Sequence, residues 1–298
     1  MSHGTSAHAS APSWLTPVPV FFVFLWSTGF IVAKLGLPYA PPLTFLILRC
    51  LGVLAVLLPV VLIWKAPWPR GQIKHVAVAG LLLQAGYLGG VWTAIKLGMP
   101  AGLAALIVGM QPLLTAACAP LIGERVGPRQ WLGLAFGLSG VALVVLAKLH
   151  LAGLTAAGIL LCVFALLSIT AGTMYQRRWC PAFDLRTGTV IQFGASVAVL
   201  LPLAIVLEDL DAGFASVTWS LDFVAAWLWS IFALSIGALF LLFTLIRRSQ
   251  ALEVTSLLYL TPPTTAVMAW LLFGEAFSPL ALAGMALAVL GVAFVVKK

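Results

Sequence analysis

Charged side chains are scarce in this chain of 298 residues: Asp, Glu, Lys and Arg make up 8% of it, against about 25% in an ordinary soluble domain. Its 16 basic and 8 acidic side chains cannot cover a water-exposed surface at this length. Cysteine is almost as rare. Cys50, Cys118, Cys162 and Cys180 stand singly with no Cys-x-x-Cys spacing, so neither a disulfide framework nor a zinc site is indicated, and each reads as a small apolar residue. The four histidines, His3, His8, His75 and His150, never pair with a carboxylate at metal-ligand spacing. There is no paired-Asp diphosphate motif, no Gly-x-Ser-x-Gly turn and no phosphate loop. An enzyme is therefore not expected, and neither is a cofactor, a metal or a catalytic residue.

Apolar residues, by contrast, make up 62% of the chain and come in long runs. About 20 such residues cross a bilayer as a helix. Cutting at charges, prolines and glycines gives ten runs: 18–36, 43–64, 74–97, 100–122, 129–147, 155–177, 187–207, 222–246, 252–273 and 279–296. The expected fold is an all-α polytopic membrane protein of ten transmembrane helices, with the lipid bilayer as partner. The net charge of +8 then concerns orientation, and no nucleic-acid partner is expected. Lys65, Arg70, Lys74, Arg125, Arg129, Arg177, Arg178, Arg186, Arg247, Arg248, Lys297 and Lys298 fall on one side; Lys34, Lys96 and Lys148 fall on the other. That bias predicts both termini in the cytoplasm. Residues 1–17, rich in Ser, Ala, His and Pro with no basic n-region, read as a short disordered cytoplasmic tail.

The chain repeats itself. A shift of 151 lays 112–145 on 263–296 with 12 of 34 positions identical, among them Pro112/Pro263, Gly123/Gly274, Glu124/Glu275, Pro128/Pro279, Gly133/Gly284 and Gly140/Gly291. The same shift pairs Gly86 with Gly237. A shift of 143 lays the segment ending at Pro59 on the one ending at Pro202. Five helices per copy, an odd number, put the second copy upside down, giving a 5+5 inverted-topology repeat with units at 18–148 and 149–298. Inverted repeats are the architecture of many alternating-access carriers, because exchanging the two copies' conformations exchanges the open side.

Pro112 falls about midway along the fourth run and Pro262–Pro263 about midway along the ninth. Matched mid-membrane breaks point to a transporter's binding site, with structural kinks as the alternative. Polar and aromatic neighbours gather there: Gln111, Tyr259 and Thr261 beside the breaks, Gln84, Tyr87 and Trp92 on the third run, and Trp26 on the first. Any single hydroxyl among them serves equally well as an interhelical hydrogen bond. Gly86, Gly90 and Gly237, with the prolines, are hinge or gate candidates. Lys34, Arg49 and Lys96 are the charged candidates. Snorkelling explains the two lysines. Arg49, about two turns into its helix, fits a substrate carboxylate or phosphate, or a cap on a neighbouring helix. Acidic groups avoid the span centres: Glu124 and Glu275 lie at helix ends, placed for end electrostatics or gate contacts, and Asp222 and Glu253 lie near helix starts.

The doubled motif, Pro112…Gly123-Glu124…Pro128…Gly133…Gly140 and Pro263…Gly274-Glu275…Pro279…Gly284…Gly291, resembles the EamA domain of the drug/metabolite transporter superfamily. Leu25-Trp26-Ser27-Thr28 is similar to the start of that family's first helix. Within it the chain most resembles the YddG-type exporters of aromatic and other neutral amino acids. The resemblance implies a bacterial inner-membrane carrier, a monomer or weak homodimer, moving a small-molecule substrate outward by alternating access. It implies a cavity walled by the first, third, fourth, sixth, eighth and ninth helices, and so favours Trp26, Gln84, Gln111, Ser168 and Tyr259 as lining residues. The small multidrug relatives carry a Glu in the first helix where this chain has Trp26-Ser27-Thr28, which argues for facilitated or exchange transport over proton-driven export. A nucleotide-sugar or organic-phosphate exchanger and a multidrug efflux pump are the alternatives.

Overall fold

The computed structural model describes residues 17–118, 127–148, 155–180, 182–238, 241, 261–274 and 278–296; among them there is helix and connecting turn but no strand. The helices are α1 (Pro17–Gly36), α2 (Pro42–Ile63), α3 (Ile73–Lys96), α4 (Ala101–Val108, then Gln111–Cys118), α5 (Pro128–Lys148), α6 (Ala156–Trp179), α7 (Leu185–Leu207), α8 (Leu221–Gly237), α9 (Thr261–Phe273) and α10 (Pro279–Val296). They follow the ten apolar runs. The expected tail up to Thr16, the ends of the fourth, eighth and ninth runs, Tyr259, Glu124, Glu253 and Glu275 lie outside the described residues. Among the described residues, four helices, α2, α3, α6 and α7, are long and apolar enough to cross a bilayer without interruption.

Local chemistry sets where the helices start. Pro42 opens α2, where its missing N–H costs nothing. The N–H groups of Leu43 and Thr44 donate to the two carboxylate oxygens of Glu208, each at 2.8 Å, so the end of α7 caps the start of α2. Thr155, Asp184 and Ser220 cap α6, α7 and α8 by accepting from Gly158, Arg186 and Phe223. Gly98, with φ of 96°, makes the tight turn from α3 to α4.

Apolar side chains cover the outside as well as the inside. Leu160, Val206 and Leu271 are each at least 67% exposed, which suits a surface solvated by lipid tails. Inside, α2 packs on α7 and α5 on α10, while α3 packs on α6 as α1 does on α8. This is the pairing that a two-fold relation between the repeats demands. A Cβ on Gly291 would come within 2.5 Å of Gly133 O and Gly137 N, so the repeated Gly-x6-Gly spacing lets α5 and α10 touch backbone to backbone. Irregularities repeat too. Pro59 lies inside α2 and Pro202 inside α7. α3 widens into a π-helical turn at Leu81–Gly86, and α8 does so at Ser230–Gly237. The two π-helical stretches end on Gly86 and Gly237, the pair that the 151-residue shift superposes.

Candidate functional site

Between the repeats lies a cavity of about 230 Å³. Its walls include Trp26 and Phe30 from α1, Arg49 from α2, Gln84, Tyr87 and Trp92 from α3, Ile169 and Gln176 from α6, Thr189, Gln192 and Phe193 from α7, and Leu234 and Ser235 from α8. Much of this wall is two-fold related. Trp26 and Arg49 correspond to Ile169 and Gln192 at a shift of 143, and Leu83 and Gln84 to Leu234 and Ser235 at 151. Each π-helical turn thus delivers one polar side chain to the cavity, Gln84 from the first and Ser235 from the second. Such turns often mark functional positions.

Arg49 is the charged member among the described lining residues. Its side chain is 7% exposed, and its Nε donates to Ser235 Oγ at 3.0 Å. The guanidinium carbon lies 5.9 Å from the centre of the Trp92 ring. No described carboxylate pairs with it, although a cation at membrane depth is costly without an anionic partner. Trp92 in turn packs on Phe45, with ring centres 4.6 Å apart, and Phe45 on Phe223 at 5.1 Å. Phe45, Trp92, Leu103 and Phe223 belong to one core cluster that fills the end of the bundle where α2, α4 and α8 begin.

A smaller chamber of about 30 Å³ shares Trp26, Phe30, Tyr87 and Ile169 with the main cavity and adds Gln111 and Thr261. It lies at the break in α4. The helix there interrupts at Gly109–Met110, two residues before Pro112, which sits in the first turn of the second half-helix. A proline disfavours helical backbone in the residue ahead of it and is tolerated in a first turn, so the break falls upstream. Pro262 and Pro263 likewise lie at the start of α9, and Pro262 packs against Gly109, where there is no room for a Cβ. Gln111 donates to Thr173 Oγ1 at 3.0 Å, and the Thr261 hydroxyl oxygen is buried with no partner among the described residues.

The remaining sequence candidates separate clearly. Ser168 is not among the described lining residues of either chamber: its hydroxyl donates to Leu82 O at 2.9 Å, alongside the five-residue π-type bond that the same carbonyl accepts from Tyr87. Gly90 gives α3 its close approach to α6, with a Cβ there lying 2.9 Å from Leu161 O. Lys96 donates to Leu37 O at 2.5 Å and Lys34 sits 4.4 Å over the Phe273 ring, so neither is a described lining residue. Ser27 and Thr28 tie helices together: Ser27 O accepts from Thr265, and Thr28 Oγ1 accepts from Trp229 Nε1 at 3.0 Å. Sequence reasoning named Arg49 of α2 but missed the wall from α7, namely Gln192, Thr189 and Phe193. The 143-residue shift carried the signal for Gln192, because it lands on Arg49.

Two polar clusters flank the bundle outside the spans. Tyr39 donates to Asp222 at 3.0 Å, and that carboxylate raises the Tyr39 pKa above its ordinary value. Arg186 pairs with Asp184 at 2.7 Å and holds the Asp184 carboxyl below the usual range.

Comparison with known proteins agrees with this architecture. The sequence profile of the EamA-like transporter family matches residues 18–146 and again 156–297. The chain is 27% identical over 274 residues to a protein of Salmonella typhimurium called a probable amino-acid metabolite efflux pump, covering 90% of each chain. It is 28% identical to the uncharacterized inner membrane transporter YedA of Escherichia coli, over 85% of this chain and 81% of that one. A probable terminal-alkyne amino-acid exporter of Streptantibioticus cattleyicolor is 29% identical over 67% of this chain and 65% of its own. A crystal structure superposes with a TM-score of 0.63 at 22% identity, covering 95% of this chain and 96% of the other, which shows a shared fold. Two copies of one family unit, inverted across a common cavity, make this multi-pass membrane protein a member of the EamA-like transporter family.

Proposed function

We propose that the protein exports neutral α-amino acids, aromatic ones included, across a bacterial inner membrane by alternating access, with the repeats 18–148 and 149–298 as its two moving halves. The observation that carries this reading is the cavity. It lies between the repeats, is lined in part by aromatic rings and carries one buried guanidinium that has no described protein carboxylate. At about 230 Å³ it suits one small metabolite better than a drug-sized ligand. Arg49 supplies a carboxylate partner, and Trp26, Tyr87 and Trp92 supply apolar faces for a side chain. A single cation favours a monoanionic carboxylate over a phosphate dianion. The names of the Salmonella and Streptantibioticus relatives point the same way.

The packed aromatic end represents the closed side, and the cavity extends from there toward Gln176, Thr189 and Gln192 near the end where the chain begins. We assign that end to the cytoplasm on the Lys and Arg bias. By the apolar runs of the sequence, all eight Asp and Glu side chains fall at or beyond span ends, which supports facilitated or exchange transport without a proton relay.

Uptake of labelled phenylalanine and alanine into liposomes holding the purified protein tests this reading. Saturable uptake without a pH gradient, traded against a second amino acid from inside, is the expected result. Absence of amino-acid uptake together with exchange of a phosphorylated metabolite would overturn it.

A further inference from the structure

Gln84 has an unmet hydrogen bond. Its side-chain carbonyl oxygen, Oε1, is buried with no partner among the described residues, on the wall of the cavity that also holds Arg49. In a bilayer a bare acceptor of this kind is expensive unless something in the cavity satisfies it.

The relation between the repeats explains why it is bare. Arg49 corresponds to Gln192, and Ser235 to Gln84. The bond from Arg49 Nε to Ser235 Oγ therefore has an image, which would run from Gln192 Nε2 to Gln84 Oε1. Gln192 Nε2 donates elsewhere, to Gln176 Oε1 at 3.0 Å. One contact of a two-fold pair is made and the other stands open, so the cavity presents a donor fork from Arg49 and an acceptor from Gln84.

We propose that Gln84 Oε1 accepts a hydrogen bond from the ammonium of a bound α-amino acid whose carboxylate rests on Arg49, making Gln84 the residue that selects for the amino group. The proposal rests on the amino-acid reading above. A donor fork and a carbonyl acceptor match the two ends of a zwitterion, and the guanidinium repels the ammonium, which fixes the orientation. An amide is the suitable acceptor. Being neutral, it accepts from the ammonium and leaves the Arg49 charge to the carboxylate, whereas a carboxylate here would favour a bare ammonium over a zwitterion. Gln84 lies on one π-helical turn and Ser235, the residue that anchors Arg49, on the other, and both line the cavity.

The test uses the full chain in liposomes, with labelled phenylalanine competed by 3-phenylpropionate, which lacks the amino group, and by phenethylamine, which lacks the carboxylate. Gln84→Leu is expected to raise the phenylalanine KM about tenfold to a hundredfold, the value of a hydrogen bond to a charged group, while inhibition by 3-phenylpropionate stays unchanged. Gln84→Glu, which keeps an acceptor, is expected to improve inhibition by phenethylamine about tenfold. The assignment is overturned if Gln84→Leu weakens both ligands alike or neither. Should Gln84→Leu fail to fold, unaltered phenethylamine inhibition in Gln84→Glu overturns it instead. If the unsubstituted protein takes up no amino acid, the functional reading fails and the assignment with it. If that protein transports phenylalanine and Gln84→Leu matches it, the Gln84 assignment alone fails.

Discussion

Ser235 Oγ accepts the Nε–H of Arg49 at 3.0 Å and so joins the second repeat to the first inside the cavity. The bond fixes one edge of the guanidinium and leaves its terminal N–H fork for a planar anion. An arginine is needed for both tasks at once. A lysine ammonium is a point charge that holds either the serine or the ligand well, and a glutamine merely reproduces the residue on the other side of the two-fold relation.

Substitution at Arg49 therefore has a graded outcome. Arg49→Lys is expected to raise KM for amino acids about tenfold, and Arg49→Gln about a hundredfold, as a charge-assisted hydrogen bond worth roughly 1.5–3 kcal/mol is weakened and then lost. Initial rates of uptake against substrate concentration measure this. A wild-type KM in Arg49→Gln would place the carboxylate elsewhere.

Gly86 and Ser168 are expected to be coupled. A Cβ on Gly86 would collide with Ser168 Oγ, the group that bonds Leu82 O at the π-helical turn. Gly86→Ala is expected to cost about 1–3 kcal/mol as an overpacked contact. Adding Ser168→Ala should restore part of that loss, because the smaller side chain makes room. Thermal unfolding of the two single variants and the double variant in detergent measures the coupling. Strictly additive losses would show that the turn absorbs the methyl without involving Ser168.

The ten helices were legible because hydrocarbon imposes a length and a composition that soluble helices need not obey. The repeat was legible because Pro59/Pro202 and Gly86/Gly237 serve backbone geometry, which few other residues can replace. The direction each side chain faces was not. Arg49 and Ser168 lie in similarly apolar sequence, yet one lines the cavity and the other spends its hydroxyl on a π-turn carbonyl. Helix rotation is set by packing against partners far along the chain, such as α7 on α2, and no local period records it. The π-helical turns were invisible for the same reason, since nothing in Leu81–Gly86 distinguishes it from an ordinary helical turn.

The Asp184–Arg186 pair predicts a pH effect confined to acid. Asp184 also caps α7 through Arg186 N–H, at 2.9 Å. Its carboxyl is depressed in the folded protein, so its contribution is present above the unfolded pKa of about 3.9 and disappears as pH falls through the lower folded value. Asp184→Ala is expected to lower stability by about 1 kcal/mol at pH 7. Melting of both proteins at pH 7 and at progressively lower pH tests the window. The two should converge only below the ordinary carboxylate range, and convergence near pH 6 would contradict the pairing.

Glu208 is the last and most consequential case. Its carboxylate accepts from Leu43 N, Thr44 N and Thr44 Oγ1, each at 2.8 Å, and so bolts the end of α7 to the start of α2. Beside it, Thr218 N donates to Tyr39 O at 2.8 Å and Tyr39 to Asp222 at 3.0 Å. All of these contacts lie at the end packed with Phe45, Trp92 and Phe223, so opening that end requires separating groups that now hold one another. Under the proposed alternating-access cycle, removing the carboxylate is expected to weaken the closed arrangement alone, by an amount on the order of 1.5–3 kcal/mol, which shifts a two-state balance about tenfold or more. Ala40, 2% exposed beside this clamp, is a suitable reporter. With Cys50, Cys118, Cys162 and Cys180 replaced by Ala, labelling of Ala40→Cys by a water-soluble maleimide is expected to accelerate about tenfold when Glu208→Ala is added. Equal labelling rates with a lowered melting temperature would assign Glu208 to helix capping and deny it any part in closure.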